Sequence, residues 1–96
     1  MALSFEWNES KAESNARKHD VTFEEASTVF ADPLGAIFED EEHSDDELRE
    51  LLIGHSVLQR LLIVSFTERG KDVVRIISAR KATKRERKDY EEGTDR

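Results

Sequence analysis

Cysteine is absent from this 96-residue chain, which excludes a disulfide framework, a cysteine-based zinc site and thiol catalysis. Long apolar runs are absent as well: none approaches the roughly 20 residues of a membrane span. The opening, Met1 to Trp7, has neither a basic stretch nor an apolar one, so no signal peptide is expected and a cytoplasmic protein is. Apolar residues are scarce, at 36%; the core must be small, and a bound partner would add stability the chain alone lacks. No pairing of histidines with acids has metal-ligand spacing, so neither a metal nor any other cofactor is expected. Internal repeats and low-complexity linkers are missing too, and the length suits one domain over residues 1–96.

What the chain does have is charge, unevenly placed. The total of −7 argues against a nucleic-acid binder. Its distribution argues otherwise. Residues 24–50 carry eleven acids against Arg49 alone, while residues 57–90 carry ten bases against Glu68, Asp72, Glu86 and Asp89. A basic face can attract phosphates while the rest of the molecule repels them.

The residue pattern predicts α+β: a short strand, two helices, three or four strands and a last helix. Phe5 and Trp7 flank Glu6 as in a strand, and Asn8 can cap a helix to about Lys18. Thr22-Phe23-Glu24-Glu25 is a capping box, with Val21 and Ala26 at the staple positions and Phe23, Ala26, Val29 and Phe30 as the apolar stripe. Pro33 ends that helix at Asp32. Gly35 to Phe38, Arg49 to Ser56, Arg60 to Thr67 and Asp72 to Arg80 are predicted strands, and Leu61 to Val64, apolar on both faces, belongs at the sheet centre. Arg69-Gly70 offers a two-residue hairpin turn, pairing Phe66 with Val73, Val64 with Arg75 and Arg60 with Ala79. Without a bulge, Arg60 and Arg75 then share a face. Thr83-Lys84-Arg85-Glu86 is a second capping box, opening a helix to about Glu91. Lys84 and Arg85 sit in its first turn, where the helix dipole disfavours cations; a phosphate there would account for them.

Phe5-Glu6-Trp7-Asn8, Lys11, Asn15, Lys18-His19, Val21 to Ala26 and Asp32-Pro33 resemble the opening of the BrnT toxins. His43-Ser44 with Glu47 and Arg49, Ile53-Gly54, Arg60, Arg75 to Arg80, Ala82-Thr83, Glu86 and Tyr90-Glu91 resemble the remainder. Asp20 and Gln59 stand where that family usually has glycine. The resemblance implies a RelE-like antiparallel sheet with two N-terminal helices on one face and a short C-terminal helix. It also implies RNA cleavage that arrests translation, and neutralisation by a BrnA-like antitoxin whose ribbon-helix-helix region binds DNA, so that this chain meets DNA only indirectly.

Such a ribonuclease needs no metal: the 2′-hydroxyl attacks the adjacent phosphate, and the protein aligns atoms, moves protons and stabilises charge. Arginine's planar, permanently charged fork suits the last task. Arg60 and Arg80 match family positions where functional arginines are expected, and Arg75 follows on the neighbouring strand; Lys81, Lys84 and Arg85 would hold flanking phosphates. His43, among Glu41, Glu42, Asp45 and Asp46, favours its charged form and suits a proton donor better than a base. His19 and His55 read as structural, and no general base is evident. A competing expectation is a catalytically weak scaffold that serves as the antitoxin's partner in operator repression.

Overall fold

Asn8 and Thr22 each stop a strand or turn and start a helix by the same chemistry. In the computed structural model, which describes residues 2–40 and 48–94, the Asn8 side chain accepts from the Lys11 N–H and α1 runs Glu9–His19. The Thr22 hydroxyl likewise accepts from the Glu25 N–H and opens α2, Phe23–Thr28, which continues into a 3₁₀ turn at Val29–Ala31. Before them lies β1 (Ser4–Glu6); after them come β2 (Ala36–Glu39), β3 (Glu50–His55), β4 (Leu61–Gly70), β5 (Val73–Lys81) and α3 (Lys84–Thr94).

The five strands form one sheet in the order β1-β5-β4-β3-β2, with β4 at its centre as its apolar run predicts. Four strands are antiparallel. The expectation of a wholly antiparallel sheet needs one correction: β1 pairs with β5 in parallel, Phe5 opposite Val74. The α1–α2 segment between β1 and the later strands carries the chain over one face, and that crossover makes a parallel partner reachable.

Alternation along the strands divides the core. Leu52, Leu62, Val64, Phe66, Val74, Ile76 and Ala79 face α1 and α2, where Val21, Phe23, Ala26 and Val29 meet them. Ile53, Leu61 and Tyr90 form a smaller cluster on the other face, beneath α3. Two polar ties fix the layers. Buried Asn15 of α1 accepts from the Ala79 N–H (3.1 Å) and donates to the Ala79 and Val21 carbonyls (2.8 and 3.0 Å), sealing the β5 edge that short β1 leaves uncovered. Asp32 accepts from the N–H groups of Leu34 and His55 (2.9 and 2.7 Å) and from the Tyr90 hydroxyl (3.4 Å). Burial works against the Asp32 charge, but the His55 and Leu34 N–H groups hold its carboxyl below the usual range. Gly54 makes this approach possible: a Cβ there would stand 3.0 Å from the Asp32 carboxylate.

The β4–β5 hairpin departs from the predicted register. Its turn is Lys71-Asp72, with Gly70 opposite Val73, and the left-handed residue is Asp72 (φ 61°), not Gly70. The Asp72 carbonyl accepts from the Ser4 N–H (2.8 Å), so the parallel β1 pairing holds the turn where it is. Val64 therefore meets Ala79 and Phe66 meets Ile76. The pairing steps from Ser65–Ser78 to Phe66–Ile76, leaving Ile77 as a bulge.

Candidate active site

That bulge decides which arginines share a face. Arg75 and Arg80 are five residues apart, an odd spacing that a regular strand would put on opposite faces. The extra residue restores the parity, since Val74, Ile76 and Ala79 all point to the helix-covered core. Arg75 and Arg80 thus both look out of the opposite face. They are about 15 Å apart along the strand at the usual rise per residue, too far for both to clasp one phosphate. Arg75 donates to Glu6 of β1 at 2.9 Å. Arg80 lies at the far end of the strand, beside a shallow cleft of about 300 Å³ floored by Ile63, Ser65 and Ser78.

The expected common face of Arg60 and Arg75 is not found. Arg60 follows a turn in which Gln59 is left-handed (φ 63°), and it points to the helix side. Its Nε donates to Glu25 Oε2 at 2.9 Å, its Nη2 to the other Glu25 oxygen and to the Asp20 carbonyl at 2.8 Å. Ser56 Oγ donates to Glu25 Oε2 at 2.6 Å. Glu25 is buried, and the Arg60 hydrogen bond, outweighing the cost of burial and helped by Ser56, holds its carboxyl below the ordinary range. Only half of the first capping box therefore forms: the Thr22 hydroxyl caps the helix, but the Glu25 carboxylate is spent on Arg60.

The second box is complete, and Arg80 completes it further. Thr83 Oγ1 accepts from the Glu86 N–H (3.1 Å) while Glu86 Oε1 accepts from the Thr83 N–H (2.9 Å). Arg80 then grips Glu86 bidentately, at 2.8 and 2.9 Å. The guanidinium, with the Thr83 N–H, pulls the Glu86 carboxyl down to about 2 against the effect of burial. Arg80 remains 42% exposed, so one side of its fork is open to a ligand.

Although Arg60 and Arg80 leave by different faces, the topology brings their surroundings to one end of the sheet. Lys81 opposes Leu62 at the start of β4, two residues beyond Arg60. Lys81 Nζ and Arg60 Nη1 both approach the Asp20 carboxylate at the end of α1, at 3.7 and 3.6 Å. Asp20 itself is left-handed (φ 58°) and returns its N–H to the Ala16 carbonyl. The Ala82 N–H donates to the Leu61 carbonyl (3.0 Å), which starts α3 from the same end with Lys84 and Arg85 exposed in its first turn. Arg17 and Lys18, in the last turn of α1, add to this basic end. His43 lies outside the described residues. Sequence reasoning missed Glu25, Glu86 and Asp20 as the groups that orient the arginines; the capping boxes were a signal for the two glutamates, but a box gives the local partner and not the distant one.

Fold and site describe a small α+β sheet protein with Arg60, Arg80, Lys81, Lys84 and Arg85 at one end, the first three held by carboxylates. Residues 7–86 match the family described as "Ribonuclease toxin, BrnT, of type II toxin-antitoxin system", and the chain belongs to that family. Among solved structures it is similar to the crystal structure of the Brucella abortus ribonuclease toxin BrnT, at a TM-score of 0.68 and 22% identity over 86% of this chain and 100% of that one. That likeness supports the fold. Comparison with curated proteins gave no match.

Proposed function

We propose that the chain is a metal-independent endoribonuclease that cuts messenger RNA and so arrests translation, with its reacting phosphate bound at the basic end of the sheet. The observation that carries this reading is that Arg80 and Lys81 at the end of β5 and Lys84 and Arg85 in the first turn of α3 all lie at one end of the sheet. Arg80 is the group to stabilise charge on the phosphoryl oxygens. Its bidentate hold on Glu86 fixes the fork in advance, and preorganised donors stabilise developing charge better than mobile ones. Lys81, Lys84 and Arg85 hold neighbouring phosphates as counterions. Arg60 contributes from the helix side, chiefly by keeping Asp20 and Lys81 in place, and Arg75 meets the RNA backbone farther along the open face. In the reaction the 2′-hydroxyl gives up its proton to solvent and its oxygen bonds to phosphorus, the P–O5′ bond breaks, the 5′-oxygen takes a proton, and a 2′,3′-cyclic phosphate remains. His43 is assigned the proton donor on the sequence argument alone.

A toxin of this family implies an antitoxin. The reading extends to a BrnA-like protein with a ribbon-helix-helix region, cytoplasmic like its partner, through which the pair reaches DNA. A non-catalytic scaffold is the second reading, favoured by the fact that Arg60, Arg75 and Arg80 each already hold a carboxylate. Expression without antitoxin separates the two. The ribonuclease stops growth and yields RNA fragments with 5′-hydroxyl ends in the presence of EDTA, and Arg80→Ala lowers the cleavage rate by about 10²–10³. Normal growth at full expression, with intact RNA, refutes the catalytic reading.

A further inference from the structure

β2 (Ala36–Glu39) ends the sheet, and among the described residues nothing pairs with its outer edge. Free edges are usually blunted by lysine, proline or a bulge. This one reads Ala-Ile-Phe-Glu, and its two central side chains are more than half exposed, Ile37 at 56% and Phe38 at 57%. Alternation sends them to opposite faces, and each stands over an apolar hollow. Ile37 borders one of about 220 Å³ with Leu3, Phe30 and Phe66. Phe38 borders another of about 450 Å³ with Leu34, Leu51 and Tyr90. An added strand, whose side chains also alternate, would fill both at once.

The charges specify what kind of strand. Glu39 lies directly opposite Glu50 on β3, and Glu50 in turn lies opposite Phe66 on β4, two residues from Glu68. Like charges opposed across strands destabilise a sheet. Burial, then the Glu68 and Glu39 charges, raise the Glu50 carboxyl above its usual range. Asp89 borders the second hollow. A second copy of this chain would bring the same carboxylates to the same edge, whereas a cationic segment would relieve them.

We propose that β2 is the docking edge for an extended, lysine- or arginine-bearing segment of the antitoxin, added as a sixth strand with its apolar side chains in the two hollows. The partner's identity rests on the reading of the chain as one half of a toxin–antitoxin pair; the edge and its chemistry do not. The test uses the toxin purified with the antitoxin encoded beside it, together with two heptapeptides, one alternating lysine with valine and one alternating glutamate with valine. Ile37 and Phe38 are exposed, so Ile37→Ser/Phe38→Ser leaves the fold intact; it should weaken the antitoxin complex at least 100-fold. Glu39→Gln/Glu50→Gln should weaken it about tenfold and flatten its salt dependence, while Glu13→Gln on α1 changes nothing. The lysine peptide, and not the glutamate peptide, should shift the backbone amide resonances of residues 36–39. Undiminished antitoxin binding by Ile37→Ser/Phe38→Ser overturns the docking edge and leaves the pairing with an antitoxin standing. A toxin that dimerises alone, and becomes monomeric in that variant, gives the edge to a second copy and also overturns it. If the wild type retains no antitoxin, the pairing itself fails, and the peptides alone decide the edge: no shift at residues 36–39 refutes it.

Discussion

Replacing Arg60 by methionine keeps the bulk of the side chain and removes its charge. Glu25, whose side chain is only 5% exposed, would then keep a single donor, Ser56 Oγ at 2.6 Å. Removing one partner of a buried ion pair costs about 3–5 kcal/mol, because the other charge stays buried without compensation. That is a large part of the roughly 5–15 kcal/mol that holds a small domain together. At about 4–8 °C per kcal/mol for a domain of this size, the melting temperature should fall by roughly 15 °C or more. The pH dependence should weaken as well. In the native chain the Glu25 carboxyl is held below its ordinary value, so the pair contributes fully above that value and is lost as pH falls through the depressed one. In Arg60→Met only the Ser56 hydrogen bond and the Lys81 charge still oppose burial, so the carboxyl rises from its depressed value and the variant should lose less stability than the native chain as pH falls. The double variant Arg60→Met/Glu25→Gln, with no charge left to strand, should recover most of the loss. Thermal and urea melts of the three proteins across pH check this. A single variant that melts within about 3 °C of the native chain at pH 7 would refute the argument and return Arg60 to a purely catalytic role.

Glu86 offers a second acid-range test: with its carboxyl near 2 instead of the ordinary 4.5, the Arg80 pair should support stability above about pH 4.5 and lose it towards pH 2. Because Arg80 is 42% exposed, solvent screening limits the effect to about 1 kcal/mol, and acid melts of Glu86→Gln should show that this slope has gone. Changing both Lys84 and Arg85 to glutamine should stabilise the free protein slightly by relieving the helix dipole. The same change should lower the slope of log affinity for single-stranded RNA against log salt by about 1.4, as two phosphate contacts require, with the maximal rate unchanged; an unaltered slope means those residues do not meet RNA. Gln59→Gly, at φ 63°, should raise stability by about 1 kcal/mol, since a left-handed residue with a side chain costs that much or more, and a melt that does not rise would show that the turn relaxes around Gln59. Asp20→Gly should gain less, because asparagine and aspartate tolerate that conformation.

Local chemistry was legible in the sequence wherever one short stretch contained both halves of an interaction. Asn8, Thr22 and Thr83 each cap the helix that follows, Pro33 closes the second helical segment, and the run Leu61 to Val64 occupies the central strand. Two left-handed positions were marked by the family resemblance, since Asp20 and Gln59 stand where that family usually has glycine and both adopt positive φ; the third, Asp72, was not. Family membership was legible for the same reason, as a set of spaced residues along one chain. Tertiary structure decided everything that depended on a partner far away in sequence. Glu25 could have closed its own capping box, but Arg60, 35 residues on, offers a charged donor and takes the carboxylate. The parallel pairing of β1 moved the hairpin turn by two residues, and the bulge at Ile77 then chose which face Arg80 sees. A single unpaired residue reverses every side chain beyond it, because a strand alternates with a period of two; no local preference reports such an insertion, and only the competition among neighbouring strands for the same backbone groups sets it.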